Sequence, residues 1–128
     1  MRFLIVDDNP DILDIVSSII ALFGHGADRA KDGLEAMERF RNNRYDAVIT
    51  DAEMPRIDGS ALCRFLKSQE SGVYIIGMSG STAALQGLKE AGADVCLPKP
   101  FSMHSLEEAI ARLCPALPPR RDFLQPVA

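Results

Sequence analysis

RFLIVDDNPDILDIVSSIIALF, residues 2–23, decides the fold. The run RFLIV (2–6) is short and without polar alternation, which suits a central strand of a parallel sheet covered on both faces. Asp7-Asp8-Asn9 interrupts it. Pro10 then falls where the first helical residue needs no N–H donor. Ile12, Ile15, Val16, Ile19, Leu22 and Phe23 follow at helical spacing, and Gly24 and Gly26 punctuate the end. Strand, acidic turn and helix in this order form one unit of an α/β sheet.

The same unit recurs along the chain. Residues 27–30 read as a weak edge strand, and Asp32-Gly33 opens a helix with Leu34, Met37 and Phe40 on one side. Strands are expected at 45–50, 73–78 and 94–97, and helices at 60–67 and 82–91. Ser102 is placed to cap a last helix reaching about Leu113, with Leu106, Ile110 and Leu113 facing inward. The result is an α/β domain, a single (βα)5 doubly wound parallel sheet. Right-handed crossovers favour the flavodoxin-like strand order 2-1-3-4-5. The domain is expected to span residues 1–114. Residues 115–128, PALPPRRDFLQPVA, carry four prolines and no periodicity, and read as a C-terminal tail or linker stub.

Composition narrows the function. At 128 residues the chain is expected to hold one domain, and 47% apolar with 25% charged residues is an ordinary globular balance. A net charge of −4 gives no electrostatic reason for nucleic-acid binding. No run is long enough for a membrane helix and no secretory leader is evident. Cys63, Cys96 and Cys114 are odd in number and lack a CxxC pair, as expected for reduced thiols in the cytoplasm. His25 and His104 read as plain surface residues.

Polar residues end the expected strands: Asp7-Asp8, Asp51, Ser79 and Lys99-Pro100, with the turn Pro55…Asp58-Gly59 beside them. In an open parallel sheet, strand ends meet at one crevice, where ligands bind. Taken singly, each of these residues is a common turn or surface group. Together they crowd three carboxylates and one lysine, a summed charge of about −2 that a divalent cation would neutralise. Mg²⁺ prefers oxygen donors and keeps several waters, so a shallow acidic bowl suits it.

LIVDDNP (4–10), DGLEAM (32–37), DAVITDAEMPRIDG (46–59), IIGMSG (75–80) and GADVCLPKPF (92–101) together resemble the receiver domain of two-component response regulators. The resemblance implies a phosphorelay switch. Asp51 would accept a phosphoryl group from a phosphohistidine on a histidine kinase or phosphotransfer protein, and later lose it by slow self-dephosphorylation. It implies Mg²⁺ held by Asp8, Asp51 and the Glu53 backbone carbonyl, with Asp7 acting through water. Lys99, in a cis Lys-Pro bond, would neutralise the phosphoryl charge, and the Ser79 hydroxyl would turn toward it. Glu53 and Ser81 would tune the phosphorylated lifetime. Ile12, Pro100 and Phe101 are candidates for docking a partner.

Two features depart from the family pattern. Cys96 stands at the switch position, where an aromatic residue is usual, and Ser79 to Lys99 is about two residues short. Both point to an atypical output surface toward an unknown downstream protein, and self-association through the last two helices stays open. Other classes fit less well. A degenerate receiver serving only as a binding module would not need the intact Asp8, Asp51, Ser79 and Lys99. An aspartyl phosphohydrolase would share the Asp51-Ala-Glu53 spacing but requires a cap. A cofactor binder of the same topology would need a phosphate-cradling loop where DDNP stands.

Overall fold

The computed structural model describes residues 1–113, so Cys114 and the proline-rich segment 115–128 lie outside the described residues. Five strands alternate with five helices: β1 Arg2–Val6, α1 Pro10–Leu22, β2 Gly26–Ala30, α2 Gly33–Asn42, β3 Ala47–Asp51, α3 Gly59–Gln69, β4 Tyr74–Ser79, α4 Thr82–Glu90, β5 Val95–Pro98 and α5 Met103–Leu113. All strand pairs are parallel, in the order β2-β1-β3-β4-β5. The expected class and order therefore hold, with β2 at an edge.

The continuous apolar strands are explained by cover on both faces. Phe3 and Ile5 of β1 pack with Val16, Ile20, Leu106 and Ile110, on the face carrying α1 and α5. Leu4 and Val6 point to the other face, with Ala36, Leu62, Leu66 and Leu88 of α2, α3 and α4. Local signals set the helix ends. Asn9 caps α1, with Pro10 in its first turn, and Gly24 closes it at a φ of 82°, the left-handed region glycine enters freely. At α5 the Ser105 N–H donates to Ser102 Oγ, the expected cap.

Two helices bury only part of their apolar residues, and the expectation that His25 is a plain surface residue is corrected. The buried stripe of α1 is Leu13, Val16, Ile19 and Ile20, while Ile15 and Leu22 are 53% and 51% exposed. The helix carries more apolar residues than one face can bury. Leu34 of α2 is also exposed, at 47%. A Cβ on Gly33 would lie 2.9 Å from Ile57 Cβ, so α2 is pressed on the β3–α3 loop through Gly33, which turns Leu34 outward. His25 is no surface residue. It is buried, with its ring 5.4 Å from that of Phe3 and Nδ1 3.1 Å from the Met1 amine. His104 is exposed and pairs with Glu108, as a surface residue does. Among the described residues, no helix is long and apolar enough to cross a membrane.

Candidate phosphoacceptor site at the carboxyl edge of the sheet

Sheet register builds the site. Val6 lies beside Thr50, Asp51 beside Met78, and Ser79 beside Pro98. The residues leaving β1 and β5, Asp7-Asp8 and Lys99, thus emerge level with Asp51 and Ser79. Asp7, Asp8 and Asp51 each present an oxygen, and these oxygens all lie within 4.8 Å of one another. Asp7 and Asp51 are buried, whereas Asp8 is open to solvent. Lys99 Nζ sits between the buried pair, 3.2 Å from Asp7 Oδ2 and 3.1 Å from Asp51 Oδ1. Its backbone N–H donates to the Ser79 carbonyl at 2.8 Å, which ties the end of β5 to β4, and the Lys99–Pro100 bond is cis. Asp7 is oriented from the other side by the Asn9 N–H, 2.9 Å from Oδ1.

The electrostatics follow from this crowding. Burial pushes the Asp51 carboxyl above the usual carboxylate range. The hydrogen bond from Lys99 opposes that push, and the charges of Asp7 and Asp8 add to it. Burial on its own would lower Lys99, but the Asp51 and Asp7 carboxylates outweigh it and hold the ammonium above its ordinary value. Lys99 therefore stays charged at neutral pH. One cation among three carboxylates leaves negative charge in excess. Oxygen donors, one of them solvent-facing, fit a hard divalent cation that keeps part of its water shell.

Ser79 is almost wholly buried, at 1% exposure, and its hydroxyl makes two hydrogen bonds. Oγ donates to Glu53 Oε1 at 2.8 Å and accepts the Ser81 N–H at 3.0 Å. Ser81 in turn caps α4, its Oγ accepting the Ala84 N–H. Glu53, expected as a backbone ligand and a tuning residue, makes its carboxylate contact with Ser79 across 26 residues, a pairing that sequence spacing does not signal. An open depression of about 510 Å³ runs from Asp8 past Glu53 to Ala84 and Gly87 of α4.

Arg56 was also missed. It adopts a φ of 70°, uncommon for a residue with a side chain, and its guanidinium lies 2.8 Å from Asp32, the cap of α2. The loop after Asp51 is thereby fastened to α2. Cys96 is half-buried beneath α4, with Sγ 3.5 Å from the Leu85 carbonyl oxygen. Ile12 and Phe101 both pack, half-buried, on the α1–α5 side of the core, and Pro100 is exposed.

Comparison with known proteins agrees with this geometry. The family profile described as response regulator receiver domain matches residues 3–111. Response regulator MprA of Mycobacterium sp. (strain KMS) is 36% identical over 115 residues, covering 88% of this chain and 49% of that protein. The chain thus spans about half the length of the curated relatives it matches. Chemotaxis response regulator CheY4 of Vibrio cholerae superposes with a TM-score of 0.81 at 29% identity, over 88% of this chain and 97% of that one. The receiver domain of sensor histidine kinase PA1611 from Pseudomonas aeruginosa PAO1 gives 0.80 at 28% identity, over 88% and 95%. That receiver domain carries a magnesium ion coordinated in its active-site cleft. With five parallel strands in this order and an acid cluster at their carboxyl edge, the chain belongs to the response regulator receiver domain family of two-component signalling.

Proposed function

We propose that this receiver domain takes a phosphoryl group onto Asp51 from a phosphohistidine of a histidine kinase or phosphotransfer protein. The observation that carries the reading is Lys99 Nζ lying within 3.2 Å of both buried carboxylates, Asp7 and Asp51. In the transfer, an Asp51 carboxylate oxygen bonds to phosphorus as the P–N bond to the donor imidazole breaks, leaving an aspartyl phosphate. Little covalent help is needed; positioning and charge stabilisation carry the rate. Lys99, charged and aimed at Asp51, is placed to pair with a phosphoryl oxygen. Mg²⁺ would be held by Asp8, Asp51, the Glu53 backbone carbonyl and, through water, Asp7, and would offset the negative charge of donor and acceptor together.

The Ser79 hydroxyl lies at the end of the strand beside Asp51, where it can hydrogen-bond the new phosphoryl group. Ser81 and α4 follow it directly, so a local charge change reaches a helix at the surface. Hydrolysis of the aspartyl phosphate resets the domain. Docking of the donor through Ile12, Pro100 and Phe101 is part of the same reading.

Intact mass after incubation with Mg²⁺ and acetyl phosphate tests it. One phosphoryl adduct is expected in the wild-type chain and none in Asp51→Asn or with a chelator present. An adduct that persists in Asp51→Asn would move the acceptor elsewhere. No adduct in the wild type would leave a protein-binding module.

A further inference from the structure

We propose that Glu53 is a latch: in the unphosphorylated domain its carboxylate holds the Ser79 hydroxyl proton, and the phosphoryl group must displace it. The inference rests on the phosphoacceptor reading above and concerns a positioning residue. A serine hydroxyl has a single proton to donate. Here that proton is committed to Glu53 Oε1 at 2.8 Å, while the Ser81 N–H occupies the oxygen at 3.0 Å. Ser79 is buried, so its hydroxyl has few other partners, whereas Glu53 is exposed and regains water once released. Donation to a phosphoryl group therefore requires the Ser79–Glu53 bond to break.

The consequences are two. The free state is favoured by one charge-assisted hydrogen bond, discounted for the hydration that the exposed carboxylate recovers. The switch is also coupled forward, because rotation of Ser79 takes the acceptor away from the Ser81 N–H at the capping residue of α4. Glu53 thus sets how far the unphosphorylated domain lies from its switched arrangement. Acting only as a like charge near the phosphoryl group, it would raise that cost without Ser79 taking part. The two accounts separate in a double-mutant cycle.

Beryllofluoride, an unreactive stand-in for a phosphoryl group, is titrated with Mg²⁺ into the full chain and followed by NMR. Wild type, Glu53→Ala, Glu53→Gln, Ser79→Ala and Glu53→Ala/Ser79→Ala are compared. Glu53→Ala is expected to bind about five- to tenfold tighter than wild type, with Glu53→Gln between them. In the Ser79→Ala background the Glu53→Ala gain should shrink to within about twofold. The Ser81 amide resonance of the metal-free protein should also move in Glu53→Ala. An equal gain in both backgrounds would establish plain repulsion and overturn the latch. So would Glu53→Ala binding no tighter than wild type, or an unmoved Ser81 amide. A wild type that forms no beryllofluoride complex would remove the phosphoacceptor reading and the latch with it.

Discussion

Asp51 and Lys99 form a pair whose balance is set by crowding. Burial and the neighbouring carboxylates disfavour the charge on Asp51 more than Lys99 compensates, so its carboxyl is held above the usual range. A group with a raised folded-state acid pKa is one whose neutral form the fold prefers. Asp51→Asn should therefore melt about 2–5 °C above wild type in the presence of a chelator. Mg²⁺ should raise the wild-type midpoint and leave the variant's nearly unchanged. Thermal denaturation with and without Mg²⁺ checks this, and a lower midpoint for the variant would show that the Lys99 pair dominates. Lys99→Ala acts in the opposite direction. A lysine whose folded pKa is raised contributes stability that is fully present at neutral pH and lost only as pH climbs through that value. A quarter of the side chain is exposed and Asp51 can take up a proton, so the loss should be about 1 kcal/mol in a denaturant titration. If Asp51 accepts the phosphoryl group as proposed, the rate with acetyl phosphate should fall about a hundredfold, because the fixed cation beside Asp51 is gone.

At the scale of elements, α4 is seated by a missing side chain. A Cβ on Gly77 of β4 would lie 2.6 Å from Leu88 Cδ1, and one on Gly59 would lie 2.5 Å from the Asp51 carbonyl oxygen. Gly77→Ala must push Leu88, which is fully buried, and with it α4; a loss of about 1–3 kcal/mol is expected. Leu88→Ala alone should cost about 2–5 kcal/mol. The double variant should be more stable than the sum of the two losses implies, since the added methyl enters the vacated space. Strict additivity in denaturant titrations would disprove that contact. Gly59→Ala meets backbone and has no such rescue. Strand positions and order were readable because strands covered on both faces are apolar throughout, and parallel strand ends must share an edge. Asp7, Asp8, Asp51, Ser79 and Lys99 could be brought together on that rule alone. Ile15, Leu22 and Leu34 could not be assigned to solvent, because helical spacing gives a stripe but not the direction it faces. The contacts of Glu53 with Ser79 and of Arg56 with Asp32 join separate elements through their side chains, and no local pattern encodes them.

Across the whole molecule, stability should vary with pH in two steps of the same sign, offset by the site. Burial of His25, and then the nearby Met1 amine, hold its imidazole below the ordinary value of 6.5, while Asp46 opposes them. The unfolded chain therefore binds that proton more readily, and stability falls as pH drops through about 6.5. Asp28 and Asp32 lie below their ordinary carboxylate value. Asp28 is held down first by the Tyr45 hydroxyl, against its own burial, and then by Arg2; Asp32 is held down first by the Glu35 N–H, again against burial, and then by Arg56. Depressed acids contribute stability above their unfolded value of 3.8 and lose it as pH falls through the folded one. Asp51 has the opposite sign, since its folded form binds a proton more tightly, so it softens the acid limb. Denaturant titrations in a chelator at about pH 7, 6, 5 and 4 should show wild type losing stability at each step. His25→Gln should flatten the fall between about pH 7 and 5 while leaving the lower limb in place. Asp32→Ala should cost about 1–2 kcal/mol at neutral pH, the value of a helix cap, and less as pH falls through its lowered folded value, where the wild-type carboxylate is itself protonated. Asp51→Asn should steepen the acid limb, because it deletes a group that gains from protonation in the folded state. If instead Asp51→Asn left the acid limb as shallow as wild type, Asp51 would have to be an ordinary ionised carboxylate. Lys99 would then offset both the burial of Asp51 and the charges of Asp7 and Asp8, and the raised carboxyl argued from their crowding would be overturned.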